Sequence, residues 1–119
     1  MAGEAILAFV QDPMFSVQLR EAAAKGQDTV SVVTSVAEFE QRIGQVHPKL
    51  TILDLGAVGA DLETVIRTTK QEGSKAIAYG PHIMKDLFER ARQLGCDAVY
   101  PNSRFKMSTE AILSEWINK

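Results

Sequence analysis

Apolar residues in this chain fall into short unbroken runs, separated by longer stretches in which they recur every three or four positions. The runs Ile6-Leu7-Ala8-Phe9-Val10, Thr29-Val30-Ser31-Val32-Val33, Leu50-Thr51-Ile52-Leu53-Asp54-Leu55, Lys75-Ala76-Ile77-Ala78-Tyr79 and Asp97-Ala98-Val99-Tyr100 have the length and composition of strands, the most apolar of them buried on both faces. Helical spacing predicts a helix over about Met14 to Ala24, with Phe15, Leu19, Ala22 and Ala23 on its inner side. A second helix follows Ser35 with Val36, Phe39 and Ile43 inward, and a third runs from about Asp61 to Glu72 with Leu62, Val65 and Ile66 inward. A fourth, about Ile83 to Leu94, carries Ile83, Leu87, Phe88, Ala91 and Leu94, and a last one after Ser108 carries Ile112, Leu113 and Trp116. The punctuation agrees. Asp12 before Pro13 suits a helix start, Ser35 with Glu38 forms a capping box, and Ser108 is a further cap. Gly26, Gly44 with Pro48, Gly73 and Gly95 are placed as stops.

Five strands alternating with five helices through short loops predict an α/β fold of the flavodoxin-like, doubly wound type, a (βα)5 three-layer sandwich. Right-handed crossovers favour a parallel five-stranded sheet in the order 2-1-3-4-5. That order sets the ends of the first and third strands side by side, so Gln11, Asp12 and Asp54 are expected as neighbours. Tyr79, Gly80, His82, Tyr100 and Asn102 would complete the rim. Asp54 is the natural focus, because an ionised carboxylate in an apolar strand is tolerable only where the strand meets water.

Length and composition narrow the classes. At 119 residues the chain is expected to form one domain, 1–119, and 45% apolar with 24% charged residues is ordinary for a soluble globular protein. A net charge of −2 gives no footprint for nucleic acid, and no apolar run is long enough for a bilayer, so neither nucleic acid nor membrane is an expected partner. The start, Met1-Ala2-Gly3-Glu4, lacks the pattern of a secretory leader, and the single Cys96, read as a buried structural thiol, fits a reducing compartment; a cytoplasmic location is expected. No Ser or Cys nucleophile elbow accompanies a His partner, so the chain does not read as an enzyme. Gly56-Ala57-Val58-Gly59 lacks the Lys-Ser/Thr of a phosphate-binding loop.

The alternation of elements, the segment Pro48-Lys49-Leu50-Thr51-Ile52-Leu53-Asp54-Leu55 and the segment Gly95-Cys96-Asp97-Ala98-Val99 together resemble a response-regulator receiver domain of the CheY-like superfamily. The resemblance covers essentially the whole chain. It implies that Asp54 is the phosphoacceptor, that magnesium would be held by Asp12 and Asp54 with help from the Gly56 carbonyl, and that a histidine kinase or a downstream effector is the partner. The departures are specific. An acidic pair is expected after the first strand, where Val10-Gln11 or Gln11-Asp12 stands; Tyr79-Gly80 supplies no Ser/Thr hydroxyl after the fourth; and Asn102 takes the place of the Lys, with Arg104 near enough to reach in. Phosphoryl transfer depends on positioning and charge neutralisation, so these losses point to an atypical or pseudo-receiver with phosphorylation weakened or lost and magnesium bound weakly or not at all.

Plainer readings stand beside these: Asp54 and Asp12 as backbone-capping carboxylates, His82 as a helix-starting residue. By analogy with receivers, the fourth helix, fifth strand and fifth helix form a partner surface on which Arg90, Arg92, Tyr100, Arg104 and Lys106 are the first candidates, with a second copy of the chain as one occupant. With no output domain in the sequence, signalling would act in trans. The alternatives are a genuine phosphorelay regulator using Asp54 and magnesium, and a small-ligand or nucleotide-binding module of flavodoxin-like type using the same rim.

Overall fold

The computed structural model describes residues 3–119. Met1 and Ala2, on which the reading of the chain start partly rests, lie outside the described residues. The strands are β1 (Ala5–Phe9), β2 (Thr29–Val33), β3 (Leu50–Asp54), β4 (Lys75–Gly80) and β5 (Ala98–Pro101), and they pair in the order β2-β1-β3-β4-β5, every pair parallel. This is the predicted doubly wound sheet. The helices are α1 (Pro13–Lys25), α2 (Val36–Val46), α3 (Leu55–Val58), α4 (Leu62–Gln71), α5 (Lys85–Gln93), α6 (Asn102–Met107) and α7 (Thr109–Ile117), with a 3-10 turn at Gly59–Asp61.

Because side chains alternate across a strand, each strand feeds two separate cores. Ile6, Ala8 and Val10, Leu50 and Ile52, Ile77 and Tyr79, and Tyr100 face the layer of α1, α6 and α7, where Phe15, Leu19, Phe105, Ile112, Leu113 and Trp116 meet them. Leu7 and Phe9, Leu53 and Leu55, Ala76 and Ala78 face the layer of α2 to α5, against Phe39, Ile43, Val65, Ile66, Phe88 and Ala91. Asp54 is therefore the last member of the row Leu50-Ile52-Asp54, and its register partner Tyr79 stands on the same face.

Several boundaries differ from those expected, each for a local reason. Gly44 lies inside α2; the helix ends at His47, which takes a left-handed conformation (φ 50°) just before Pro48. Ile83 is 77% exposed and precedes α5, so it does not belong to the buried stripe of that helix. Ser108 makes no side-chain cap. Instead its N–H donates to the Arg104 carbonyl and its own carbonyl accepts from Ile112, joining α6 to α7 through the backbone. The Ser35 cap holds, with its hydroxyl accepting from Glu38 N–H at 3.2 Å, while the Glu38 carboxylate accepts from Thr34 N–H at 2.8 Å rather than from the cap itself. Pro101 is tolerated in β5 because that strand is the sheet edge.

Candidate functional site

Asp54 ends β3 and begins α3. Its backbone is extended (φ −78°, ψ 110°) and its Oδ1 accepts from the N–H groups of Gly56 at 3.0 Å and Ala57 at 3.4 Å. Asp12, after the adjacent β1, repeats this geometry (φ −79°, ψ 111°), its Oδ1 accepting from Met14 at 3.0 Å and Phe15 at 3.4 Å. Two helices thus start side by side at the carboxyl edge of the sheet, each capped by a carboxylate that favours the positive end of the helix. One oxygen of each carboxylate is committed to a cap. The Asp12 Oδ2 lies 4.0 Å from the Lys106 ammonium, an exposed pair of small energetic weight.

Tyr79 is the unexpected member. Its ring is stacked on Phe105, centroids 4.8 Å apart and planes within 8°, and meets the edge of Phe15 at 5.3 Å. This clamp leaves the residue 2% exposed, and its hydroxyl has no hydrogen-bond partner among the described residues. Burial first, and then the negative charges of Asp54 and Asp12 and the pull of the Asp54 carboxylate on the hydroxyl, push the phenol well above its ordinary range. An unsatisfied buried hydroxyl costs about 1–3 kcal/mol, so this orphan needs a physical account.

The opposite face of the edge is apolar. A Cβ at Gly80 would sit 3.3 Å from both Cβ and Cδ1 of Leu55 and 3.5 Å from Phe88, so Leu55 fills the space that a Ser or Thr side chain at the end of β4 would need. Asn102, half-buried, opens α6 in the place expected for a lysine. Arg104 does not supply that charge at Asp12: its guanidinium lies over the Tyr100 ring at 5.5 Å, and it is Lys106, also 5.2 Å from the Phe15 centroid, that reaches Asp12. Gln11 turns away from Asp54, its amide donating to the Thr34 carbonyl at 3.2 Å beside β2. His82 is exposed in the loop between β4 and α5.

Magnesium requires several hard oxygens in near-octahedral array. Here Asp12 and Asp54 are both half-engaged in caps, one faces an ammonium, and no group of three acidic, His or Cys side chains is placed to share an ion among the described residues. This donor set does not fit the ion that the receiver pattern implies.

Of the proposed partner surface, Arg90 and Arg92 are exposed, paired with Glu63 at 3.0 Å and Glu89 at 3.7 Å. Tyr100 is corrected: it is 8% exposed and its hydroxyl accepts from the Trp116 indole at 2.8 Å, so it belongs to the core. Cys96 is buried, donates to the Ala76 carbonyl at 3.3 Å, and burial pushes its thiol up to about 12. A groove of about 520 Å³ lies elsewhere, lined by residues that include Lys25, Asp28, Lys49 and Glu110. Sequence reading missed Tyr79 as a polar participant because it looked for a Ser/Thr hydroxyl. The usable signal was alternation, which places Asp54 and Tyr79 in equivalent rows.

Comparison with known proteins gives the fold a name. No protein-family profile and no curated protein sequence matches the chain. Among solved structures, a response regulator from Thermotoga maritima superposes with a TM-score of 0.84 at 13% identity, over 98% of this chain and 99% of that one. A response regulator from Hahella chejuensis gives 0.83 at 17%, covering 97% and 96%, and an orphan response regulator of H. pylori gives 0.83 at 12%, covering 98% and 99%. The fold is that of a CheY-like receiver domain.

Proposed function

We propose that the chain is a receiver-type signalling module that acts by binding another protein, with phosphorylation at Asp54 weakened or lost. The observation that carries this reading is the use of the Asp54 carboxylate as the N-cap of α3, the same use that Asp12 has in α1. Leu55 against Gly80, Asn102 at the start of α6 and the short oxygen set support it. Phosphoryl transfer to a carboxylate draws on a metal and on fixed positive charge around the transferring oxygens. The groups that would supply them are those replaced here.

The partner would be a signalling protein, a histidine kinase or a downstream effector. Its contact surface is placed on Arg90, Arg92, Arg104 and Lys106, which are all exposed. One observation favours the phosphorelay reading instead: Asp54 is only half-buried, and its Oδ2 takes part in no hydrogen bond among the described residues.

The test is an NMR titration with magnesium and then beryllofluoride, run on the native chain and on Asp54→Ala. Silence at millimolar magnesium is the expected result. Saturable shifts around Asp54 that disappear in the variant would replace this reading with the phosphorelay.

A further inference from the structure

We propose that Tyr79 is a positioning residue for Asp54: its phenol hydroxyl donates to the carboxylate oxygen that the α3 amides leave free, so that a tyrosine holds the carboxylate at the sheet edge. The inference rests on the reading of Asp54 as a cap and deepens it, by giving its second oxygen an occupant.

The geometry has four parts. Asp54 and Tyr79 are register partners in adjacent parallel strands and face the same side of the sheet. Phe105 and Phe15 clamp the phenol ring on a face and an edge, which restricts the directions in which the hydroxyl can point. That hydroxyl is buried and has no partner among the described residues, while Asp54 Oδ1 is already bonded and Oδ2 is not. The acidic groups that bear on the hydroxyl are Asp54 first and then Asp12, and an ionised carboxylate has acceptors and no donor to offer it. A buried donor and a free carboxylate oxygen on register-paired positions of one sheet face are natural partners for each other. Charge-assisted bonds of this kind are among the stronger ones a protein makes. The consequence is that both oxygens of Asp54 are engaged within the chain, and an incoming electrophile would have to displace the tyrosine.

The twin cap at Asp12 provides an internal control, since its carboxylate has the same backbone geometry but its second oxygen faces the Lys106 ammonium. Tyr79→Phe keeps the ring and its stacking. Amide hydrogen exchange in this variant is expected to speed up about tenfold at Gly56 and Ala57, as a carboxylate losing a hydrogen bond frees its cap, with Met14 and Phe15 unchanged. Unchanged exchange at Gly56 and Ala57, or equal acceleration at both caps, overturns the proposal, because loss of packing alone does not discriminate between them. Should Tyr79→Phe fail to fold, the native chain decides. Its Tyr79 hydroxyl proton is expected as a slowly exchanging NMR resonance that is lost or strongly shifted in Asp54→Ala, and indifference to that substitution overturns the inference. A positive magnesium and beryllofluoride response in the native chain would instead count against the reading of Asp54 phosphorylation as weakened, so the two failures are told apart.

Discussion

Asp12 and Asp54 do the same structural work with nearly identical backbone angles, and this makes them comparable by substitution. Replacing a capping carboxylate by Ala costs about 0.5–2 kcal/mol. Two carboxylates near one another also repel, so in a site built to hold a cation, removing either one relieves strain. The two ideas predict opposite signs. Denaturant unfolding of Asp12→Ala and Asp54→Ala is expected to give a loss of stability of about 1 kcal/mol in each. A gain in stability for Asp54→Ala would mean that repulsion outweighs the cap. At this scale the sequence was partly readable: Asp12 before Pro13 identified one cap, and the plainer reading of Asp54 identified the other. The Tyr79 hydroxyl was not readable, because its burial depends on Phe15 and Phe105, which come from helices remote in sequence.

The elements show why the edge has no room for a hydroxyl after β4. Helix α3 turns the chain directly back after Asp54, and this places Leu55 over Gly80. Adding a methyl group there requires Leu55 to give way by a few tenths of an ångström. Gly80→Ala is expected to destabilise by about 1–3 kcal/mol, the usual range for overpacking, measured as a shift of the denaturation midpoint at constant slope. A neutral result would show that Leu55 moves freely and that the edge could accept a Ser or Thr. The five strands were legible as short apolar or β-branched runs, and the longer helices from periodicity, since each of those helices repeats its pattern over two turns or more. Helices α3 and α6 were not. Leu55-Gly56-Ala57-Val58 and Asn102-Ser103-Arg104-Phe105-Lys106-Met107 are too short to display a period, and tertiary packing at Leu55 and Phe105 holds them. The missed α6 also explains the misplaced charge: a helix after Pro101 carries Arg104 over Tyr100 and sends Lys106 toward Asp12.

Across the whole molecule, the two ends of the sheet differ in chemistry. The carboxyl edge has caps and an orphaned phenol. The other end is closed by polar ties, among them the buried Thr51–Ser74 hydroxyl pair at 2.8 Å and Asp97, whose Oδ2 accepts from Lys70 at 2.7 Å and from the Ala76 N–H at 2.8 Å. Partial burial pushes the Asp97 carboxyl upward, but Lys70 and the Ala76 N–H outweigh it and hold the group below its ordinary range. A carboxyl with a depressed folded-state pKa contributes stability that is present above its unfolded value and lost as pH falls through the folded one. Acidification below the normal carboxylate range is therefore expected to weaken the native chain, and Asp97→Asn to flatten that dependence, in a pH series of thermal melts. An unaltered acid limb in the variant would remove Asp97 from the account. No helix among the described residues is long and apolar enough to cross a membrane.

The aromatic side chains described above also form a connected line. Phe15 meets Tyr79, Tyr79 stacks on Phe105, Phe105 lies 5.7 Å from Tyr100, and Tyr100 accepts from the Trp116 indole. Light absorbed by either tyrosine has the sole indole of the chain as a nearby energy acceptor. The molecule consequently carries its own optical gauge: a disturbance at the Asp54 edge that shifts the Tyr79 ring changes how much tyrosine excitation emerges as tryptophan emission, without any dye attached.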